Sequence, residues 1–573
     1  MTVDLTKKPF YLDAAQLKWV ANTIATMSLE EKIRQLFVIA AGDAKDKTLQ
    51  EVAEFEAGGV MLRPLKEADV RKVNTYLMSH SKIPPFLAAN LETGSNGLIE
   101  ENTNIGHEML IAATGNVDNA YEFGKFCMGE AALAGASMSF APIIDINYNW
   151  ENPITNIRSF GDNPELVSAM GQAYVRGAQE AGGAVTIKHF PGDGVDGRDH
   201  HVVKSVNSLP FPEWMRTFGK VYRDNIDNGA TGVMVGHISL PDYFQEDKEV
   251  GLRDVPASLN PALIQDLLRG ELGFNGLVMT DASLMVGFGS QGKRRDLLPR
   301  AIAAGNDMFL FTKNLEEDYQ FMVAGFREGI ITEERLDDAM QRILGLKARL
   351  HLDARLERKT TLDSEITSKQ LAKKVADEGV TLVKDTQHLL PIHSSEQQKI
   401  GIISLGNELD VFDILEQGAS GIMKLALKFQ KRKKKSHEAF GEILTGRGYQ
   451  VSFIDHSQIK VMMESVKESI AEFTSKYDLI IYFVKKDTMS NQTNLRVEFK
   501  SLAGFDAPWF IHEIPTMLIS VANPYHEYDF ADVMTIINGY SPTDEVLQAI
   551  VDKMEGKTPF RGVSPVSMDF YTN

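Results

Sequence analysis

The 573-residue chain has a single cysteine, Cys127. No disulfide can form within it, and no cysteine-based zinc site can be built. It has no apolar run near the roughly 20 residues that a membrane span requires. Its first residues, MTVDLTKKPFYLDAAQ, lack the basic-then-apolar order of a secretion signal. Basic residues are in deficit: 60 Lys and Arg stand against 78 Asp and Glu, a formal net charge of −18. Neutralising phosphates needs clustered cations, so a general nucleic-acid binder is not expected. The one basic cluster, KRKKK at 431–435, reads as a solvated helix face or loop. The C-terminal part has no Gly-rich loop of the dinucleotide or P-loop kind, and the chain shows no internal repeat. These absences predict a cytoplasmic protein with no membrane and no nucleic-acid partner.

What is present is an alternation of short apolar runs with amphipathic helical segments. Over the first 350 residues the runs are LFVIA (36–40), GVMLR (59–63), PFLAAN (85–90), MSFAPIID (138–145), AVTIKHF (184–190), GVMVGHI (232–238), GLVMTDA (276–282) and DMFLFT (307–312). They are continuous rather than alternating, which suits parallel strands buried on both faces. Helical stretches such as 164–182 and 260–273 separate them. Pro261 fits a first helical turn, with Asn260 as its cap. Eight strand–helix units predict a (β/α)8 barrel over 1–350, with a doubly wound open sheet as the alternative. The pattern breaks at a polar linker, 351–369. A second series follows: 399–405, 449–455, 478–484, 515–521 and 533–539. It predicts a smaller α/β/α sandwich over 370–573.

In a barrel, chemistry gathers at the C-terminal ends of the strands. The third run ends at Asn90 and Glu92, and the fourth reaches Asp145 and continues to Arg158. The fifth ends at Lys188 and His189 and opens into PGDGVDGRDHH. The sixth ends at His237 and the seventh at Asp281. Three readings of the loop after the fifth run compete: a metal cage, an acid/base site, or a solvated loop. Asp199 and His201 lie two residues apart. In an extended loop their side chains point the same way, with His200 facing away. A carboxylate on one imidazole nitrogen fixes the tautomer and raises the basicity of the other, which makes a general acid/base. Asp281 reads either as a helix-capping residue or as a carboxylate nucleophile against a cation-like transition state. A metal set would draw on His189, His200, His201, Asp193 and Asp199. Its usual signal, a His-x-His on an early strand, is missing, and no metal or other cofactor is expected.

The stretch KHFPGDGVDGRDHH, with its K-H-F-P-G start and its Asp199-x-His201 end, resembles the signature of bacterial β-N-acetylglucosaminidases of glycoside hydrolase family 3. The likeness extends to FAPIIDINYNWENPITNIRSFGDNPELV and LLRGELGFNGLVMTDASLM, and more weakly to the second domain through ADEGVTLVKDTQHLLPI. It implies a retaining mechanism. Asp281 would be the nucleophile, and His201 the acid/base oriented by Asp199. Arg158, Lys188 and His189 match family positions that bind the sugar, and Asn90 and His237, at strand ends, are expected to line the same site. The implied substrate carries terminal N-acetylglucosamine. Ala282 follows Asp281, where glucosidase members carry a Trp. Hydrolysis is the expected reaction, and a phosphorylase that uses inorganic phosphate as acceptor is the alternative that the resemblance supports.

Two positions depart from the family pattern. Asn90 stands where the D-x-E-G-G stretch begins with Asp, and Leu98 stands where an Arg is expected. They suggest a non-catalytic sugar-binding protein on a barrel of this kind as an alternative, against which the whole acid/base signature and the nucleophile stand.

Overall fold

The computed structural model describes residues 3–244, 250–354, 362–406, 434–455, 467–488, 490–491, 493–499, 501 and 504–568. It divides into two compact units, one of Met1–Ala112 with Asn116–Leu371, the other of Ala113–Gly115 with Ala372–Asn573. The linker expected over 351–369 lies within the first unit, and its residues 355–361 lie outside those described. Most of the basic cluster, 431–433, also lies outside them.

The first unit is a closed eight-stranded barrel. Its strands are β1 (Phe37–Ala41), β2 (Gly59–Leu62), β3 (Phe86–Ala89), β4 (Met138–Ser139), β5 (Ala184–Phe190), β6 (Gly232–Val235), β7 (Leu277–Ala282) and β8 (Met308–Leu310). Every neighbouring pair is parallel, and β8 closes on β1 through Phe37 opposite Phe309. Each strand coincides with one of the eight apolar runs. All seven residues of β5 are buried, as expected of a strand with side chains inside and helices outside.

The helices seat closely on this sheet. Pro164–Glu180 is capped by Asn163, whose side chain accepts from the Leu166 amide, and it starts on Pro164. Asn260 likewise accepts from the Leu263 amide at 3.3 Å. The helix behind it, Ala262–Glu271, is wound as a π-helix, which the apolar spacing does not reveal.

The second unit holds a six-stranded mixed sheet: β9 (Thr381–Asp385), β10 (Lys399–Gly406), β11 (Gln450–Phe453), β12 (Leu479–Lys485), β13 (Thr516–Ser520) and β14 (Thr535–Asn538). The spatial order is β9-β14-β13-β12-β10-β11, and β9 alone runs antiparallel to its neighbour. Helices cover both faces. On one, Ile480, Tyr482 and Val484 of β12 pack with Phe473 of the helix Ile470–Lys476. On the other, Phe483 meets Phe440 of the helix Ser436–Gly446, with ring centroids 5.2 Å apart. Among the described residues no helix is long and apolar enough to cross a membrane.

Candidate active site

The loop after β5 is rich in glycine because its backbone takes conformations that a side chain resists. Gly192 and Gly194 have φ of +113° and +103°. A Cβ on Gly192 would meet the Phe218 ring at 2.1 Å, and one on Gly194 would meet the Ile146 carbonyl oxygen at 2.0 Å. The first approach sets the loop against the helix Phe218–Asp227, and the second against the segment that follows β4. Polar contacts hold it there. The Asp193 amide donates to Asp145 Oδ1 at 2.8 Å, and Asn152 Nδ2 donates to Asp193 Oδ1 at 2.9 Å.

Three charge clusters meet at the C-terminal mouth. In the first, the Glu92 carboxylate is held by both Arg158 Nε and Nη2 at 3.0 Å and by Lys188 Nζ at 2.6 Å. Burial opposes its charge, but the two cations prevail and hold its pKa well below the usual 4.5. In the second, Asp145 accepts from the His189 amide at 2.9 Å and from His189 Nδ1 at 2.7 Å. This fixes the Nδ1–H tautomer and leaves Nε2 facing Asp281 Oδ2 at 3.8 Å. In the third, Asp199 Oδ1 accepts from both the His201 amide and His201 Nδ1, each at 2.7 Å. Asp199 is fully buried, whereas the His201 side chain is 24% exposed.

Asp281, the penultimate residue of β7, lies among these groups, and its Oδ1 accepts from the Ala282 amide at 2.6 Å. Burial works against its charge, but the imidazole of His189 beside it favours the anion, and its pKa lies below the ordinary 3.8. Asp281 is therefore an anion at neutral pH.

Two expectations need correction. The Asp199–His201 pair does not come from an extended loop. The Val202 and Val203 amides both donate to the Asp199 carbonyl at 3.0 Å, so the chain turns tightly there. In a turn the strand alternation fails, and His200 does not face away. Its Nε2 lies 3.8 Å from Asp281 Oδ2 and 3.8 Å from Asp193 Oδ2. His237, expected among the sugar contacts, has both nitrogens bonded within the protein: Nδ1 to Ser258 Oγ at 2.8 Å and Nε2 to the Ala282 carbonyl at 3.1 Å. Burial lowers its pKa and keeps it neutral, so it braces the end of β7 and has no nitrogen left for a hydroxyl.

The remaining expected residues are at the mouth. Arg158, Lys188 and His189 converge as the strand ends require. Asn90, the first residue past β3, is exposed, while Leu98 is wholly buried as a core residue. The sequence placed Glu92 and Asp145 at strand ends without a role in the reaction, and gave Asp193 and His200 a role only in the metal reading. His189, His200 and Asp281 also present ligand atoms that all lie within 4.8 Å of one another, a set that could hold a metal ion.

Residues 28–346 match the Glycosyl hydrolase family 3 N terminal domain. The chain belongs to glycoside hydrolase family 3. A Cellulomonas fimi protein named β-N-acetylglucosaminidase/β-glucosidase is 39% identical over 98% of both chains. A β-hexosaminidase A of Pseudoalteromonas piscicida is 27% identical over 56% of each. The solved structure of the β-glucoside phosphorylase BglX superposes with a TM-score of 0.87 at 34% identity, covering 99% of this chain and 98% of that one.

The Glu92 cluster makes a prediction about stability in this family 3 barrel. The folded carboxyl has the lower pKa, so the unfolded chain binds the extra proton. The stabilisation is whole above the unfolded value of 4.5 and is lost as pH falls below it. Glu92→Gln should cost about 3–5 kcal/mol at neutral pH, since the buried Lys188 and the partly buried Arg158 lose their anion. It should also flatten the fall of Tm between about pH 5 and about pH 3. Parallel Tm curves for wild type and variant would refute the assignment.

Proposed function

We propose that the protein is a retaining enzyme that cleaves terminal β-linked N-acetylglucosamine, and that phosphate competes with water to receive the sugar. Asp281 Oδ attacks the anomeric carbon as the glycosidic C–O bond breaks. The leaving oxygen takes the proton from Nε2 of the His201 imidazolium, whose charge Asp199 balances. In the second step an acceptor oxygen attacks the same carbon from the vacated side and releases the Asp281 carboxylate. Water returns its proton to His201 Nε2 and yields the free sugar. Dihydrogen phosphate returns one proton in the same way and leaves as the sugar phosphate monoanion. Arg158, Lys188 and His189 bind the ring hydroxyls, with Glu92 and Asp145 fixing their orientation. No cofactor takes part.

The observation that carries this reading is the Asp199–His201 pair, with Nδ1 held at 2.7 Å and a partly exposed ring. A carboxylate acid/base becomes an anion once its proton has left. It would then repel an anionic acceptor by roughly 1–4 kcal/mol at about 4 Å, depending on the effective dielectric. A neutral imidazole imposes no such charge. The name of the BglX relative supports phosphate as acceptor, and the name of the Cellulomonas relative supports N-acetylglucosamine, with glucose as a second sugar. The small Ala282 after Asp281 favours the bulkier acetamido sugar.

Product analysis by phosphorus NMR, with an aryl β-N-acetylglucosaminide and with or without millimolar phosphate, tests the acceptor. The expected product is N-acetylglucosamine 1-phosphate of retained anomeric configuration. Free N-acetylglucosamine alone, at a rate unchanged by phosphate, would eliminate phosphorolysis and leave glycoside cleavage standing. Aryl β-glucoside run in parallel ranks the two sugars.

A further inference from the structure

We infer that His189, His200 and Asp281 together form an inhibitory binding site for a zinc-like divalent cation. The inference rests on the reading of Asp281 as the nucleophile only for its consequence, not for the binding itself. The three residues come from separate places: the C-terminal half of β5, the turn at 199–203, and the C-terminal end of β7. Their chemistry is matched to one another. His189 Nε2 and His200 Nε2 each lie 3.8 Å from Asp281 Oδ2, and all three ligand atoms fall within 4.8 Å. A tetrahedral zinc with bonds of about 2.0–2.1 Å sets its ligands about 3.4 Å apart. Closing on the ion thus asks for side-chain shifts of well under about 1 Å for the two pairs at 3.8 Å.

Two further features point to a ligand here. His200 is 0% exposed, and neither of its ring nitrogens has a hydrogen-bond partner. A buried imidazole without partners is uncommon in folded proteins, where such groups are nearly always satisfied. His189 already has the arrangement that metal-binding histidines use, with Nδ1 donating to a buried carboxylate, Asp145, and Nε2 directed at the site. Two imidazoles and one carboxylate suit zinc and disfavour magnesium or calcium, which take oxygen ligands. Three protein ligands leave the fourth position to water. An ion bound there ties up the Asp281 oxygen that faces the histidines and excludes the sugar, so it competes with the glycosyl donor.

The test uses the full chain with zinc chloride, and magnesium chloride as control. Equilibrium dialysis with metal quantification should find one more zinc per wild-type chain than per His200→Ala or Asp281→Asn chain, and EDTA should strip it. His200→Asn replaces His200→Ala if circular dichroism shows that the alanine variant is unfolded. Zinc should raise the apparent KM for an aryl glycoside several-fold without lowering kcat. Equal zinc binding by wild type and the His200 variants, or an effect on kcat alone, overturns the inference. The nucleophile is tested separately with a 2-deoxy-2-fluoro-β-glycosyl fluoride and peptide mass spectrometry. A label on Asp281 without zinc binding sinks only the metal site. Zinc binding without a label sinks only the nucleophile, and labelled protein should lose its zinc.

Discussion

Asp281→Asn should lower kcat on an aryl β-N-acetylglucosaminide by about 10³-fold or more while the protein stays folded. The substitution keeps shape, and the amide oxygen can still accept from the Ala282 amide that Oδ1 engages at 2.6 Å. What it removes is the charge. Its pKa lies below the ordinary carboxylate value, with the His189 imidazole favouring the anion, so the carboxyl is deprotonated. An anion there favours a transition state in which the anomeric carbon becomes cation-like, and it then forms the covalent ester. An amide does neither well. With Asp281→Ala, added azide should restore turnover by entering the space left by the carboxylate. The product should be the glycosyl azide of inverted configuration, since only one displacement then occurs. A variant that keeps wild-type kcat, or azide that rescues with retained configuration, would move the nucleophile elsewhere.

The barrel strands were legible because a strand buried on both faces leaves an unbroken apolar run. The strand β9 was not, although its stretch was noted at the start of the second domain. TLVKD is short and mixed, and at the sheet edge four of its five residues are only half-buried. No run of apolar residues marks it. The fourth run was legible as a strand but not in extent. β4 keeps only Met138 and Ser139, and the chain beyond leaves the ladder near Pro142, which has no amide to donate.

The site divides in the same way. Residues such as Lys188, His189 and Asp281 could be placed because a strand end fixes where they are. Glu92 and His200 matter through groups brought to them from elsewhere in the chain. Glu92 meets Arg158 and Lys188 across 66 and 96 residues. The orientation of His200 depends on one turn, 199–203, whose hydrogen bonds involve backbone amides and so carry no residue pattern.

The second large effect concerns His201, and it should depend on the leaving group. His201→Ala should slow cleavage of alkyl and sugar β-N-acetylglucosaminides by about 10²–10⁴-fold, the usual worth of a positioned general acid. With a dinitrophenyl leaving group the loss in the first step should be less than about tenfold, because that oxygen departs without a proton. The geometry sets this expectation. Asp199 Oδ1 takes both the amide and Nδ1 of His201, so the ring is fixed in direction and only Nε2 remains to serve the glycosidic oxygen. Asp199 is wholly buried and has no direct access to substrate. Asp199→Asn should therefore reproduce part of the same leaving-group dependence by removing the charge that supports the imidazolium. If phosphate is the second-step acceptor, the His201→Ala enzyme should still transfer the sugar from the dinitrophenyl donor to phosphate dianion, which needs no base, while its reaction with water becomes slow. Steady-state rates for a graded series of aryl leaving groups, in wild type and both variants, measure the dependence. A uniform loss across the series would mean that His201 holds the loop rather than the proton.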